Sequence, residues 1–260
     1  MLHAITCAVS RSINECELTH LERTPIDLAR ARQQHHAYEN VLRGLGVQVH
    51  SLPEEPGLPD SVFVEDIAIV LDECALLTRP GAISRQAETN SIAAALAPYR
   101  VLYQIQAPGT LDGGDVLVAS QTIYAGLSSR TNQAAIDQLR GFTEPHGYTV
   151  KEVRLSGCLH LKSSVTLVAA DTLLVNPAWV EPLNFQAFKK IEIHPSEPYA
   201  ANALLVGACV LYQPAFPRTR ERLESTGLHP LLVDASELGK AEGALTCCSL
   251  IFSSSSALPA

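Results

Sequence analysis

A thiol, an imidazole and several carboxylates are the groups in this chain whose types and places could do chemistry. Cys247 and Cys248 stand side by side in GALTCCSLIF, just ahead of the last apolar stretch. A strand alternates its faces, so one thiol can point inward while the other faces an axis or cavity. Two buried structural thiols are the plainer reading, since free cysteine is among the most buried residue types. His160 lies in CLHLKSSV, one of nine histidines; others, such as His35, His36, His50 and His194, read as surface or packing residues. Asp112, Gly113, Gly114 and Asp115 form LDGGD. As a turn the segment needs no further explanation. As a site it offers a carboxylate beside glycines that let a ligand approach. PDSVFVED adds Asp60, Glu65 and Asp66. Acids beside a buried strand need partners, because an unpaired buried charge costs several kcal/mol. A helix end or an arginine would serve, and so would a cationic substrate. Arg85 in RPGAISR and Arg130 in GLSSR each pass singly as surface charges. As a pair they could grip a carboxylate with forked hydrogen bonds. The ligand that fits has a cation at one end and a carboxylate at the other, the shape of an arginine-like amino acid. A thiol and a histidine among acids around a guanidinium point to nucleophilic attack on its central carbon.

These groups are far apart in the chain, so a repeating framework must gather them. One pattern recurs: a polar residue, an apolar strand, a short turn and a second apolar strand. Its copies start at Glu65-Asp66, Gly114-Asp115, Ser163-Ser164, Ala201-Asn202 and Cys247-Cys248. The markers at 66, 115, 164, 202 and 248 are spaced by 49, 49, 38 and 46 residues. Each hairpin is followed by a helix-like stretch and one more strand, as in ETNSIAAALAPYR then VLYQIQA, or NFQAFKK then IEIHPS. The N-terminal copy runs TPIDLARARQQHHAYENVLRGLG then VQVHSLP, with Thr24-Pro25 as the expected helix start and Gly44 and Gly46 as its stop. The fifth hairpin is expected to close with the N-terminal strand HAITCAVS. Units at a near-fixed period that bury one face on a neighbour suggest radial or solenoid packing, with an ordinary mixed sheet as the alternative. In a radial fold Glu65, Asp66, Asp112, Asp115, His160 and Cys247 converge at one end.

Composition narrows the class. The chain has 260 residues, 47% hydrophobic and 18% charged, with a net charge of −8. A nucleic-acid or anionic-membrane binder wants the opposite sign. No apolar run approaches the roughly 18 residues of a membrane span, and MLHAITCAVSRS lacks the pattern of a signal peptide. Seven cysteines without a CxxC pair read as reduced thiols in a cytoplasmic protein, with no structural zinc.

LPDSVFVED, LTRPGAISR, LDGGDVLV, GLSSRTNQ, LHLKS, AAN and LTCCS, in this order, resemble dimethylarginine dimethylaminohydrolase from about Leu18 to Phe252. The resemblance implies a single catalytic α/β domain over residues 1–260, a five-bladed α/β-propeller of ββαβ units with pseudo-five-fold symmetry. It implies hydrolysis of Nω,Nω-dimethyl-L-arginine, and of the monomethyl form, to L-citrulline and an amine without any cofactor. Cys247 then matches the nucleophile that carries an S-alkylthiouronium intermediate, His160 the general acid and base, and Asp112 the acid that orients it. Asp66, with Glu65 beside it, matches the guanidinium acid. Asp60 and the carbonyls of Leu18 and Ala241 match groups near the rest of the substrate, and Arg85 and Arg130 the carboxylate clamp. Glu242-Gly243 stands where the family usually has Asp-Gly, and Asp112 where some bacterial members carry Glu. The expected partner is a methylated arginine, with no nucleic acid and no membrane; a homodimer is left open. Adventitious Zn²⁺ at Cys247 would block the nucleophile. Two rivals stand beside this reading: an arginine deiminase acting on unmethylated arginine, and a catalytically silent binder of arginine analogues. Residues 16–25 are the expected lid.

Overall fold

The strands begin where β-branched and aliphatic runs meet short polar turns, and their pairing sets the architecture. The computed structural model describes residues 1–254. In its first sheet β1 (Leu2–Cys7) pairs in parallel with β2 (Gln48–Leu52). The second sheet holds β3 (Ala68–Val70), β4 (Cys74–Leu77) and β5 (Val101–Gln104). The third holds β6 (Val116–Ala119), β7 (Thr122–Leu127) and β8 (Thr149–Arg154). The fourth holds β9 (Val165–Ala169), β10 (Thr172–Val175) and β11 (Lys189–Glu192). The fifth holds β12 (Leu204–Val206), β13 (Cys209–Tyr212) and β14 (Leu231–Leu232). β15 (Leu250–Ser253) returns to pair antiparallel with β1, so the two ends of the chain complete the first blade. Every blade is an antiparallel pair with a third strand added in parallel, which requires a crossover connection. The fold is a five-bladed α/β-propeller.

Burial follows blade position. The inner runs are nearly continuous apolar sequence, as in VLVA of β6, where three of four residues are buried. The outer β8 is mostly exposed instead: Val150 and Val153 are buried and their neighbours exposed. Helices cover the outer strands. α1 (Leu28–Gly44) lays Ala31, Tyr38 and Leu42 on the core of the first blade. Its cap is Asp27, whose carboxylate accepts the Arg30 N–H at 3.1 Å, three residues beyond the expected Thr24. α2 (Thr89–Leu96) and α3 (Gln133–Thr143) follow, the latter capped by Asn132.

The fourth blade departs from expectation. NFQAFKK forms no α-helix; Pro182–Phe185 makes one 3₁₀ turn and β11 starts at Lys189. The short spacing leaves too few residues to span the blade helically, and Phe185 fills the core with Val180 and Phe188, its ring 4.8 Å from that of Tyr124.

Four of the five blades are entered through a single tight turn. These are Val64–Ile67, Gly113–Asp115, α4 (Leu161–Ser164) and Thr246–Cys248; the fifth blade is entered through Asn202 and Ala203. A tight turn sends successive side chains in different directions, which decides what faces the axis.

Candidate active site

Each blade sends one residue of its entry turn into a shared network. The Lys162 ammonium donates to Glu65 Oε1 at 2.7 Å and to the Gly113 carbonyl at 3.3 Å. The Thr246 hydroxyl donates to Glu65 Oε2 at 2.6 Å and accepts from Asn202 Nδ2 at 3.0 Å. Asn202 Nδ2 also donates to the Lys162 carbonyl at 3.1 Å. Both carboxylate oxygens and the amide are thus paired, as buried polar groups require. Glu65, Gly113, Lys162 and Thr246 line a cavity of about 280 Å³ that runs among the inner strands. Their chain neighbours Asp66 and Cys247, with His160, line a different one. The ring is a floor between the two.

Above the floor His160 stands between carboxylates. Its Nε2 is 3.0 Å from Asp112 Oδ2, and its Nδ1 is 3.7 Å from Asp66 Oδ1. Gly114 is required here: a Cβ would fall 2.7 Å from His160 Nδ1 and 2.8 Å from Asp66 Oδ1. Gly114 N–H instead donates to Asp66 at 3.0 Å. Asp115 accepts the Leu161 N–H at 3.0 Å and so fixes the turn that carries the histidine. Burial alone would lower the imidazole pKa, but the charge of Asp66, the Asp112 hydrogen bond and the charges of Asp115 and Asp112 outweigh it and raise it to about 9. At neutral pH His160 is therefore an imidazolium. Burial pulls Asp66 the other way, and the charges of His160 and Arg85 overcome it and hold the carboxyl near 2. The Cys247 thiol is pushed well up, first by burial and then by Glu65 and Asp66. It rests as a neutral thiol.

Arg85 is buried and already engaged. Nη1 donates to Asp66 at 2.6 Å, Nε to Glu88 at 3.2 Å, and Nη2 to Glu88 at 2.9 Å and to the Phe63 carbonyl at 3.0 Å. One N–H of Nη1 is left for a ligand. Arg130 is freer: Nη2 donates to Thr19 Oγ1 at 3.1 Å, and Nη1 lies 3.8 Å from Asp112.

The expected site residues fall in four places. Asp60, Asp66, Arg85, Arg130, His160, Ala241 and Cys247 line one cavity. Asp112 stands fully buried behind His160. Glu65 belongs to the floor. Leu18 lies in the lid, half-buried against the core of the first blade, and does not line the cavity. The cavity measures about 20 Å³, room for about one water. The lid closes it: the Glu17 N–H donates to Asp60 at 3.1 Å, and the Ser84 hydroxyl donates to Glu17 at 2.5 Å. Glu242 reaches neither His160 nor Asp66; its carboxylate accepts the N–H groups of Thr19, His20 and Leu21. Sequence reasoning missed Glu17, Phe63 and Leu159 in the lining and Lys162, Thr246 and Glu88 behind it. Lys162 and Thr246 sit inside LHLKS and LTCCS, and Glu88 lies one helical turn after Arg85, so a signal was present. Among the described residues, the group whose metal-ligating atoms all lie within 4.8 Å of one another is Asp66, Asp112 and His160, without Cys247.

Comparison with known proteins places the chain in a family. Residues 8–180 match the family model for N,N dimethylarginine dimethylhydrolase, eukaryotic. An N(G),N(G)-dimethylarginine dimethylaminohydrolase of Streptomyces coelicolor is 41% identical over 235 residues, covering 90% of this chain and 90% of that protein. One from Pseudomonas aeruginosa is 38% identical over 228 residues, covering 87% and 90%. A solved structure of the Pseudomonas aeruginosa protein, a cysteine-to-serine mutant complexed with citrulline, superposes with a TM-score of 0.91 at 36% identity, covering 96% of this chain and 98% of that one.

Proposed function

The chain belongs to the dimethylarginine dimethylaminohydrolase family, and on that premise we propose that it hydrolyses Nω,Nω-dimethyl-L-arginine, and the monomethyl form, to L-citrulline and an amine. The observation that carries the reading is an imidazolium clamped between Asp112 and Asp66 in the same cavity as the thiol of Cys247.

A substrate guanidinium would replace the water-sized volume and pair with Asp66. Its positive charge offsets the carboxylates that keep Cys247 protonated, so the thiol proton leaves to water as the cation enters. The thiolate attacks the guanidinium carbon. The C–N bond to dimethylamine breaks as His160 gives its proton to the departing nitrogen, leaving an S-alkylthiouronium on Cys247. Water then attacks that carbon while the neutral imidazole takes one of its protons; as the tetrahedral intermediate collapses the C–S bond breaks, and the remaining hydroxyl proton restores the Cys247 thiol as citrulline is released. Asp112 holds the ring and its charge through both steps. Arg130 would grip the substrate carboxylate, aided by the remaining N–H of Arg85. Arg85 chiefly orients Asp66. Asp60 and Ala241 would meet the amino end.

The test supplies dimethylarginine and arginine in parallel and measures citrulline. We expect citrulline from dimethylarginine, and Cys247→Ser to lower that turnover by ~10⁴-fold or more. Citrulline from arginine alone would replace the substrate, and unaltered ligand binding without turnover in the wild-type protein would favour a silent binder.

A further inference from the structure

Glu242 occupies a backbone conformation that most residues avoid. Its φ is 59°, in the left-handed region, where a glycine would sit without steric cost. A side chain retained at such a place is a reason to ask what it holds. The Glu242 carboxylate accepts the Thr19 N–H at 3.0 Å, the His20 N–H at 2.5 Å and the Leu21 N–H at 2.6 Å. Three consecutive amides converging on one anion form a nest, and each bond is charge-assisted.

Little else fastens this part of the lid. Thr19, His20 and Leu21 are exposed. His20 and Leu21 border a largely apolar cavity of about 310 Å³ instead of packing into a core. Glu17 anchors the root through Asp60 and Ser84, and Arg23 folds the far end back onto the Cys16 carbonyl at 2.6 Å. The tip depends on Glu242. The tip in turn reaches the site, because Thr19 Oγ1 accepts from Arg130 Nη2 at 3.1 Å.

We propose that Glu242 is a positioning residue for the hydrolysis: its carboxylate latches the lid tip over the cavity and, through Thr19, sets the guanidinium of Arg130. The positioning role rests on the hydrolase reading; the latch does not. Substrate enters when Glu242 releases the three amides, and the lid relatches over the bound ligand with Arg130 in place. Loss of the latch weakens the closed complex without touching Cys247, His160 or Asp112, so it acts on KM more than on kcat.

Glu242→Gly and Glu242→Asp separate the latch from folding. Glycine suits the backbone, so the first variant should melt no lower than wild type. In the ligand-free protein its His20 and Leu21 amides should exchange with deuterium at least tenfold faster. Its KM for dimethylarginine should rise about tenfold with kcat within threefold, and Glu242→Asp should restore most of the protection. Unchanged exchange at His20 and Leu21 in Glu242→Gly would overturn the latch. An unchanged KM, or a kcat that falls as far as KM rises, would overturn the positioning role. A wild-type protein that releases no citrulline would remove the hydrolase reading and the positioning role together, while exchange would still decide the latch.

Discussion

The floor and the roof of the site use the same device, a glutamate taking several donors, in opposite surroundings. Glu65 is 7% exposed and binds an ammonium and a hydroxyl contributed by two other blades. Glu242 is half-buried and binds main-chain amides of one surface loop. Away from water, opposite charges interact more strongly and salt screens them less. A buried partner lost leaves the other charge stranded, whereas an exposed one is promptly hydrated. The difference separates two tasks. The floor fixes His160 and Cys247 relative to each other, and the roof decides when anything reaches them.

The comparison is broken most severely from the buried side. Asp112→Asn keeps the shape behind His160 but removes the charge that holds the imidazolium. We expect kcat to fall by about 10³–10⁴-fold, with KM changing little. A fall under tenfold in citrulline release would mean Asp66 alone orients the ring. Lys162→Met comes next. It leaves the buried Glu65 without its cation, at a cost of about 3–5 kcal/mol, or roughly 10 °C in Tm for a chain of this size. An unchanged melting temperature would show that the ring carries no structural load.

Proton binding gives a milder probe of the same interior. His160 is raised from 6.5 to about 9 by its carboxylates. Its stabilising contribution is complete below pH 6.5 and is lost as pH rises through about 9. Asp115, pushed up by burial to about 6, is ionised by pH 7.5, and Glu88, pushed up by burial to about 7, is mostly so and leaves only a small residual slope. Cys247 and Cys248 are both raised above the ordinary thiol, chiefly by burial, so each begins to cost stability as the thiol of the unfolded chain ionises near pH ~8.5–9, in wild type and variant alike. The wild-type Tm should therefore decline more steeply between pH 7.5 and 9 than that of His160→Asn, which keeps only the decline due to the thiols and Glu88. Parallel curves would contradict the imidazolium. Turnover should fall above pH ~9 as the acid loses its proton.

Legibility followed the same division. The blades were readable because each inner strand is an apolar run after a polar marker, and the one short spacing, 38 residues from 164 to 202, falls where the fourth blade drops its helix. Asp112, His160 and Cys247 could be proposed as a group because each lies within four residues of such a marker. What the sequence hid was direction. Glu65 and Asp66 are adjacent, yet one faces the channel and the other the cavity, since a one-turn helix separates their side chains. Arg85 looked like half of a clamp, but Glu88, three residues on, and Asp66 take most of its donors. The role of Glu242 was hidden because its partners are amides of residues 19–21, and a main-chain donor leaves no mark in residue type.

The gentlest test lies at the root of the lid. Ser84 donates its hydroxyl to Glu17 at 2.5 Å, and both residues are exposed. Water can replace either partner, so the net loss in Ser84→Ala should be about 0.5–1 kcal/mol. Glu17 keeps a second tie to the site, because its N–H still donates to Asp60. The variant should therefore raise KM for dimethylarginine no more than about fivefold, the upper end of that energy. Neither kcat nor Tm should move, since Ser84 touches neither the floor nor the reacting groups. The value of so small an effect is its contrast with Lys162→Met. Were Ser84→Ala to lower Tm comparably, the roof would be built into the folded core, and a lid that opens for substrate would be the wrong description of residues 17–23.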